Sequence, residues 1–355
     1  MRNSLKRLLR HRIKHTAITC GMEAAWLFSK LGLTTTPARR GVIFTLHHVR
    51  PKTAASFDPN GHLEVTPEFL DAAIGQLRDD GYRFVSLDAV PALLHAENDA
   101  AAPFAAFTLD DGYRNNAEHG APVFSRNSVP FTVFVAGGFA ERTHSIWWET
   151  AAALLTRLDR LRFDFGSGLE DMPLKTVAQK YRCFERLAET IIGGREAEMV
   201  ARLDQAARDH DFDPLALTRD LTMDAGELRA LLANPLATLG AHTISHRALA
   251  YLDDAAARTE MRASADYLEA VVGRRPTSIA YPYGHSCAAS VREQRLATEL
   301  GFKIAVTTTP GTLSPALADR ITGLPRISLN GFYQKPRYAS ALASGIPFRL
   351  MGLAV

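Results

Sequence analysis

The sequence predicts an α/β fold: a parallel sheet or barrel whose strands are buried on both faces and whose helices pack outside it. Three observations predict it. Short runs such as Gly41-Val42-Ile43-Phe44-Thr45-Leu46, Phe107-Thr108-Leu109 and Phe131-Thr132-Val133-Phe134-Val135 are too apolar to have a wet face. These runs alternate with stretches of helical spacing. Their downstream ends carry His47-His48, Asp110-Asp111, His242 and Tyr283. In an α/β barrel the carboxyl ends of the strands converge on one face, and active sites sit there.

The chain of 355 residues is long enough to bury a large core. With 46% hydrophobic and 22% charged residues it has the composition of a soluble globular protein. A net charge of +3 is too small to imply a nucleic-acid partner. Cys20, Cys183 and Cys287 are too widely spaced for a disulfide framework or a metal knuckle. They read as free thiols of a reducing compartment.

Residues 1–40 form a segment of their own. The first fifteen hold Arg2, Lys6, Arg7, Arg10, Arg12 and Lys14, and no acid. Residues 3–32 fit a basic amphipathic helix. Peripheral contact with an anionic membrane through residues 1–32, a cap on the barrel, and plain solvation are its open alternatives. Glu23 and Lys30 interrupt the apolar run that a signal peptide needs. No stretch reaches the roughly 18 uncharged apolar residues of a spanning helix. The expected location is the cytoplasm or the inner-membrane surface, with export as the alternative.

The barrel is expected over 41–345. After the first strand, a helix over 67–80 starts at Thr66 as N-cap, with Pro67 at its first position, and stops at Gly81. A short strand at Phe84–Leu87 and a short helix to Leu94 follow. Ala105–Leu109 is the next strand, then a helix from about 115 to 127, then the strand at 130–135. From about 146 to 235 the spacing is helical with few strand signals. Helices are expected around Leu154-Leu155-Leu158, over 177–192, over 196–210 and over 224–232. This stretch reads as a helical insertion in the barrel. Strand signals resume at Ala237–Ala241, followed by a helix over 253–272, a strand at Ser278–Tyr281 and a helix over about 290–300. Strands at 304–308 and 324–328 complete the pattern, and the tail after Gly331 is weakly patterned.

Two adjacent carboxylates at the end of a buried strand, Asp110 and Asp111, are costly unless something pairs with them. A cation would. His242-Thr243-Ile244-Ser245-His246 offers two imidazoles four residues apart, which one helical turn places on one face. Alone, such a pair carries little weight. Beside a strand-end Asp-Asp-Gly it completes a set of two imidazoles and a carboxylate that leaves coordination positions open, as catalytic zinc sites do.

Thr108-Leu109-Asp110-Asp111-Gly112 resembles the Thr-Phe-Asp-Asp-Gly motif of the polysaccharide deacetylases (the NodB-homology, carbohydrate esterase family 4 domain). His242-Thr243-Ile244-Ser245-His246 is similar to that family's His-Ser/Thr-x-x-His motif, and Pro282-Tyr283 to the end of its third motif. With the first-strand histidines, the resemblance spans 41 to about 330. It implies a distorted (β/α) barrel, a divalent metal (Zn²⁺ foremost, Co²⁺ as an alternative), and hydrolysis of N-acetyl groups on a glycan containing N-acetylhexosamine. Carried over by residue, it makes Asp111, His242 and His246 the metal ligands. Asp110 becomes the general base on the metal's water, and the Tyr283 backbone N–H the oxyanion donor.

Two family features are missing. The segment Leu324-Pro325-Arg326-Ile327-Ser328-Leu329 lacks the histidine acid of the usual fifth motif. Ala280 stands where the third motif has an arginine that orients the base. His47 matches a first-strand histidine that serves as acid in a subgroup acting on poly-N-acetylglucosamine. Arg326, expected at a late strand end, is the candidate for the missing charge beside Asp110. His48 is expected to point into the wall, and His285 and Cys287 to be bystanders. Trp147 and Trp148 are candidates for sugar stacking or for core packing, Tyr113 for lining the groove, and Asn60-Gly61-His62 for a turn near the site. The alternative readings are a glycan-binding barrel with impaired chemistry, and the same metal site acting on another acyl or amide substrate.

Overall fold

The computed structural model describes residues 2–31, 41–96 and 102–350, with side chains from residue 16 to 349 within those ranges. Strands appear in the order β1 (Gly41–Leu46), β2 (His48–Val49), β3 (Glu64–Val65), β4 (Arg83–Phe84), β5 (Phe104–Leu109), β6 (Phe131–Val135), β7 (Arg160–Asp164), β8 (Leu169–Pro173), β9 (Ala237–Ala241), β10 (Ser278–Ala280), β11 (Ile304–Val306) and β12 (Ile327–Ser328). The main sheet runs β11-β10-β9-β6-β5-β1-β12, with β4 paired to β5. Its pairings are parallel. Leu324, just before β12, bridges to Val306 of β11, so the 324–328 segment joins the two ends of the curled sheet. The protein is therefore a distorted (β/α) barrel.

Period-two alternation sorts the strand residues into two layers. Val42, Phe44, Leu46, Ala105, Phe107, Leu109, Phe131, Val133 and Val135 belong to one core cluster with the outer helices. Ile43, Phe104, Ala106, Phe134, Ala280, Ile304 and Val306 form another, inside the barrel. The interior row of β5 continues through Thr108 to Asp110, so the first carboxylate points inward by pleat alone. Leu46 pairs with Leu109, and the Asp110 N–H donates to the Leu46 carbonyl at 2.9 Å. His47 and Asp110 thus leave their strands at one level.

The expected helix after β1 is Pro67–Asp79. The Thr66 hydroxyl caps it by accepting from the Phe69 N–H at 3.1 Å, and Phe69, Leu70, Ala73, Ile74 and Leu77 form its buried stripe. The helix Asp254–Val272 is capped by Asp253 and ends at Gly273, whose φ of +73° suits glycine.

Several expectations change. The segment between β6 and β9 is not purely helical: β7 and β8 form an antiparallel hairpin among the helices Trp147–Arg157, Val177–Ile192, Glu196–Arg208, Pro214–Leu221 and Ala225–Leu231. The hairpin alternates buried Leu161 and Phe163 with exposed Arg160 and Arg162, a two-residue period too short to stand out. The helix expected over 115–127 is a wider turn at Asn116–Gly120 followed by Ala121–Arg126. The tail after Gly331 carries helices Pro336–Ala343 and Ile346–Leu350.

The N-terminal helix spans Arg2–Lys30. Its stripe of Ile18, Met22, Ala25 and Trp26 packs with Tyr338, Ala341 and Ile346 of the body of the protein. Leu27, Phe28 and Leu31 remain exposed. The basic side chains before residue 16 lie outside the described ones. Among the described residues, no helix is long and apolar enough to cross a membrane.

Candidate metal centre and active site

The pleat that aims Asp110 inward would aim Asp111 outward. A left-handed turn corrects this: φ is +71° at Asp111 and +69° at Gly112. Asp111 is thereby brought to the mouth, only 1% exposed. His242 follows β9, its N–H bonded to the Val135 carbonyl at 3.1 Å. The His242–His246 stretch is not the helical turn expected from its spacing. It is an irregular loop with φ of +59° at Thr243 and +58° at His246. The Thr243 hydroxyl accepts from the His246 N–H at 3.0 Å, and Glu260 accepts from the N–H groups of Ile244 and Ser245. Side-chain acceptors thus replace the helical bonds, and both imidazoles still converge.

Asp111 Oδ1 lies 3.4 Å from His242 Nε2 and 3.2 Å from His246 Nε2. Neither contact has hydrogen-bond geometry, and both oxygens of this buried carboxylate lack a partner. Two ligands about 2.0–2.1 Å from a tetrahedral ion stand about 3.3 Å apart. The spacing, the orphaned oxygens and the donor set therefore fit a divalent ion. His242 Nδ1 sits 2.7 Å from the Ala280 carbonyl, which fixes the ring and leaves Nε2 for the ion. The His246 ring is enclosed by Trp148, Tyr283 and Phe139, at centroid distances of 4.8, 5.1 and 5.6 Å.

Asp110 is completed by the protein itself. Arg326 Nη1 donates to Oδ1 and Nη2 to Oδ2, both at 2.7 Å. The same guanidinium donates to the Thr307 carbonyl at 2.9 Å and the Thr108 hydroxyl at 3.0 Å, and is 1% exposed. Burial pushes the Asp110 carboxyl up, but Arg326 and His242 outweigh it and hold it below its usual range. Arg326 is not at a strand end as expected. It precedes β12, and its length carries the charge through the barrel interior to the carboxylate. Ala280 is buried and carries no charge.

His47 is half-buried beside the two carboxylates. Burial lowers its pKa against the pull of Asp111 and Asp110. Its carbonyl accepts from Asn116 Nδ2 at 2.7 Å. His48 is fully buried and turned away: its Nδ1 is 2.8 Å from Asn115 Nδ2, its ring stacks on Tyr113 at 3.6 Å, and its Nε2 is 3.5 Å from Glu149. Tyr113 is itself buried, its hydroxyl accepting from the Trp148 indole at 3.0 Å, so it does not line a groove. Trp147 and Trp148 are both buried with their N–H groups engaged, which is packing rather than an open stacking platform. Asn60 precedes the Gly61–Leu63 turn without a side-chain bond to it, and its Nδ2 donates instead to the Trp148 carbonyl at 3.1 Å and to Glu149 at 3.0 Å.

Tyr283 has φ of +60° and is followed by Gly284 at +62°, where a Cβ would stand 2.6 Å from the Thr308 nitrogen. Among the described residues no group accepts from the Tyr283 N–H. Its hydroxyl donates to Glu196 at 2.6 Å. Sequence reasoning missed Glu149, Glu196, Asn115 and Asn116. The asparagines had a visible signal, since Asn115-Asn116 follows the Asp-Asp-Gly-Tyr-Arg run at the start of the expected helix. The two glutamates had none, because tertiary packing alone brings them to the centre.

Comparisons with known proteins agree with this fold. Residues 202–305 match the family profile described as polysaccharide deacetylase, a stretch that includes His242, His246 and Tyr283 but not Asp110 or Asp111. No curated protein matches the sequence. Among solved structures, the Streptococcus pyogenes deacetylase PplD in complex with acetate aligns with 87% of this chain and 99% of its own, at 18% identity and a TM-score of 0.56. IcaB from Ammonifex degensii aligns over 86% and 97%, at 16% identity and 0.53. The BpsB deacetylase domain from Bordetella bronchiseptica aligns over 82% and 97%, at 17% and 0.51. At such identities the likeness establishes the fold. The chain is thus a polysaccharide-deacetylase-type barrel, and its residues 202–305 carry that family's signature.

Proposed function

We propose that the protein hydrolyses N-acetyl groups from an oligo- or polysaccharide containing N-acetylhexosamine. The observation that supports this most directly is the buried Asp111 carboxylate. It has no partner of its own and faces two imidazoles at ligand spacing, beside a second carboxylate held ionised by Arg326. A divalent ion held by Asp111, His242 and His246 would lower the pKa of water towards about 7 and polarise the acetyl carbonyl. Zn²⁺ fits the donor set of nitrogen and oxygen ligands.

The chain's own residues then have separate tasks. Asp110, kept charged and oriented by two bonds from Arg326, takes the proton from the attacking water. The Tyr283 N–H faces the oxygen on which charge develops. His47 Nε2 or Nδ1 delivers a proton to the leaving amine, the task for which the last strand offers no histidine.

The test is acetate release from a panel of chitooligosaccharides and poly-N-acetylglucosamine, with added Zn²⁺ or Co²⁺ and with chelator. Metal-dependent acetate release, abolished by chelation, is expected. Bound metal with no acetate from any glycan would sink the proposal.

A further inference from the structure

We propose that Glu196 is a positioning residue that clamps the loop carrying His246 to the loop carrying Tyr283. What it does for catalysis rests on the deacetylase reading above, while the clamp itself rests on geometry alone. Glu196 opens the helix Glu196–Arg208, in the segment between β6 and β9 and away from every strand end. It is 7% exposed. Its Oε1 accepts from the Tyr283 hydroxyl at 2.6 Å, and its Oε2 accepts from the Ala248 N–H at 2.9 Å. Ala248 lies two residues beyond His246. One carboxylate therefore spans both loops.

The loops need holding. His246 and Tyr283 both sit in the left-handed region, at φ of +58° and +60°. Non-glycine residues persist there only where the surroundings over-determine them, at a cost of order 1–3 kcal/mol each. Neither loop has regular secondary structure to supply that restraint. A few backbone bonds help, from the Thr308 N–H to the Gly284 carbonyl at 3.0 Å and from the Gly138 N–H to the Ile244 carbonyl at 2.7 Å, and side chains supply the rest. The Tyr283 carbonyl accepts from the Thr308 hydroxyl at 2.6 Å, and its hydroxyl accepts from the Trp147 indole at 2.8 Å while donating to Glu196. The Tyr283 ring lies edge-on against the His246 ring. Remove Glu196 and the Ala248 N–H and the Tyr283 hydroxyl both lose their acceptor, and the hydrogen bonds left between the two stretches lie at their far ends, from the His242 ring to the Ala280 carbonyl at 2.7 Å and from the Ala250 N–H to the Ala288 carbonyl at 2.9 Å.

Packing does not call for a carboxylate at this place. Burial works against its charge and pushes its pKa up. What a carboxylate adds over an apolar side chain is two acceptors pointing in different directions, and both are used. By this arrangement a segment outside the strands sets how far the Tyr283 N–H stands from the ligand His246.

The full-length protein is compared with Glu196→Ala, Glu196→Gln and Tyr283→Phe, reading Zn²⁺ affinity by competition with a chelating dye and kcat and KM per bound metal. Folded Glu196→Ala is expected to bind Zn²⁺ about tenfold or more weakly and to lose about tenfold or more in kcat, the usual range for residues supporting metal ligands, with KM little changed. Glu196→Gln retains one acceptor oxygen and recovers part of both losses. Glu196→Ala combined with Tyr283→Phe costs less than the product of the single losses, because the two share one contact. Should Glu196→Ala not fold, the near-isosteric Glu196→Gln and Tyr283→Phe carry the same comparison. Unchanged Zn²⁺ affinity together with unchanged kcat per metal would overturn the clamp, as would single losses that multiply. If the wild type releases no acetate, the deacetylase reading fails, and Zn²⁺ affinity alone decides on Glu196.

Discussion

Asp110 and Asp111 are neighbours in the chain and almost equally buried, 2% and 1% exposed, yet the fold treats them in opposite ways. Asp110 lies at the top of the barrel interior and receives both nitrogens of a guanidinium that has no other carboxylate. Asp111, turned to the mouth by a left-handed backbone, has no hydrogen bond to either carboxylate oxygen among the described residues and only the two imidazoles nearby. Burying a charge without a partner is costly, and burying one with a well-aligned guanidinium much less so. On the proposed function, the difference separates the part of the site that the chain completes by itself from the part it would leave for a cation. A base must stay ionised and aimed, so an internal partner suits it. A ligand must keep its lone pairs free.

The largest expected effect tests the open half. Asp111→Asn should bind Zn²⁺ far more weakly and cut acetate release by about a thousandfold or more, since several kcal/mol of charge stabilisation leave with the ion. Thermal denaturation adds a second readout. At a hundredfold excess of Zn²⁺ over its Kd, the wild type gains about 2.7 kcal/mol, and Asp111→Asn gains almost nothing. With chelator present the two proteins should melt at similar temperatures. A wild type whose melting ignores Zn²⁺ breaks the comparison outright.

The closed half should fail differently. Arg326→Ala leaves Asp110 buried and unpaired, a change that costs about 3–5 kcal/mol, with or without metal. Adding Asp110→Asn removes the stranded charge and should recover much of the stability while activity stays lost. If Arg326→Ala melts like the wild type, the guanidinium is not what keeps Asp110 ionised. Between the two halves stands His47, the proposed proton donor. His47→Ala should lower kcat by about a hundredfold or more, the low end of general acid contributions. His48→Ala should affect stability more than kcat, because its ring is wedged between Asn115, Tyr113 and Glu149. The reverse pattern would mean that the other imidazole is the acid.

The contrast also explains what the sequence could reveal. The strands were legible because Val42–Leu46, Phe104–Leu109 and Phe131–Val135 are buried on both faces, and burial on both faces needs continuous apolar runs. The residues later found at ligand spacing were legible because the two motifs are short and sit at those strand ends. The local shape around them was not. Spacing suggested a helical turn for His242–His246, whereas side-chain acceptors from Thr243 and Glu260 allow a strained loop. Arg326 was legible as a charge near a strand, but its approach from below depends on the curl of the whole sheet. Glu196 was invisible, because its partners lie 52 and 87 residues away in the chain.

A third carboxylate sharpens the comparison at its weak end. Glu23, on the N-terminal helix, is as fully paired as Asp110, but in solvent. Arg337 donates to both its oxygens, at 2.6 and 2.7 Å, and the Tyr338 hydroxyl and Lys335 add bonds at 2.8 and 3.0 Å. The Arg337 bonds, opposed by slight burial and helped by Tyr338 and Lys335, lower its pKa from 4.5 to about 2. A carboxyl whose folded pKa is depressed contributes stability that is fully present above its unfolded pKa and lost as pH falls through the folded one. The grip of this helix on Pro336–Ala343 should therefore hold above about pH 4.5 and weaken between there and about pH 2. Because the pair is exposed, the effect should be the smallest of the set and should shrink with salt. Hydrogen exchange of residues 16–30 at pH 6 and pH 3, in wild type and Glu23→Gln, measures it. The Lys30–Asp80 pair on the same helix is common to both proteins and cancels in the difference. Identical pH dependence in the two would mean that Met22 and Ala25, buried against Tyr338 and Ala341, hold the helix without help from the carboxylate.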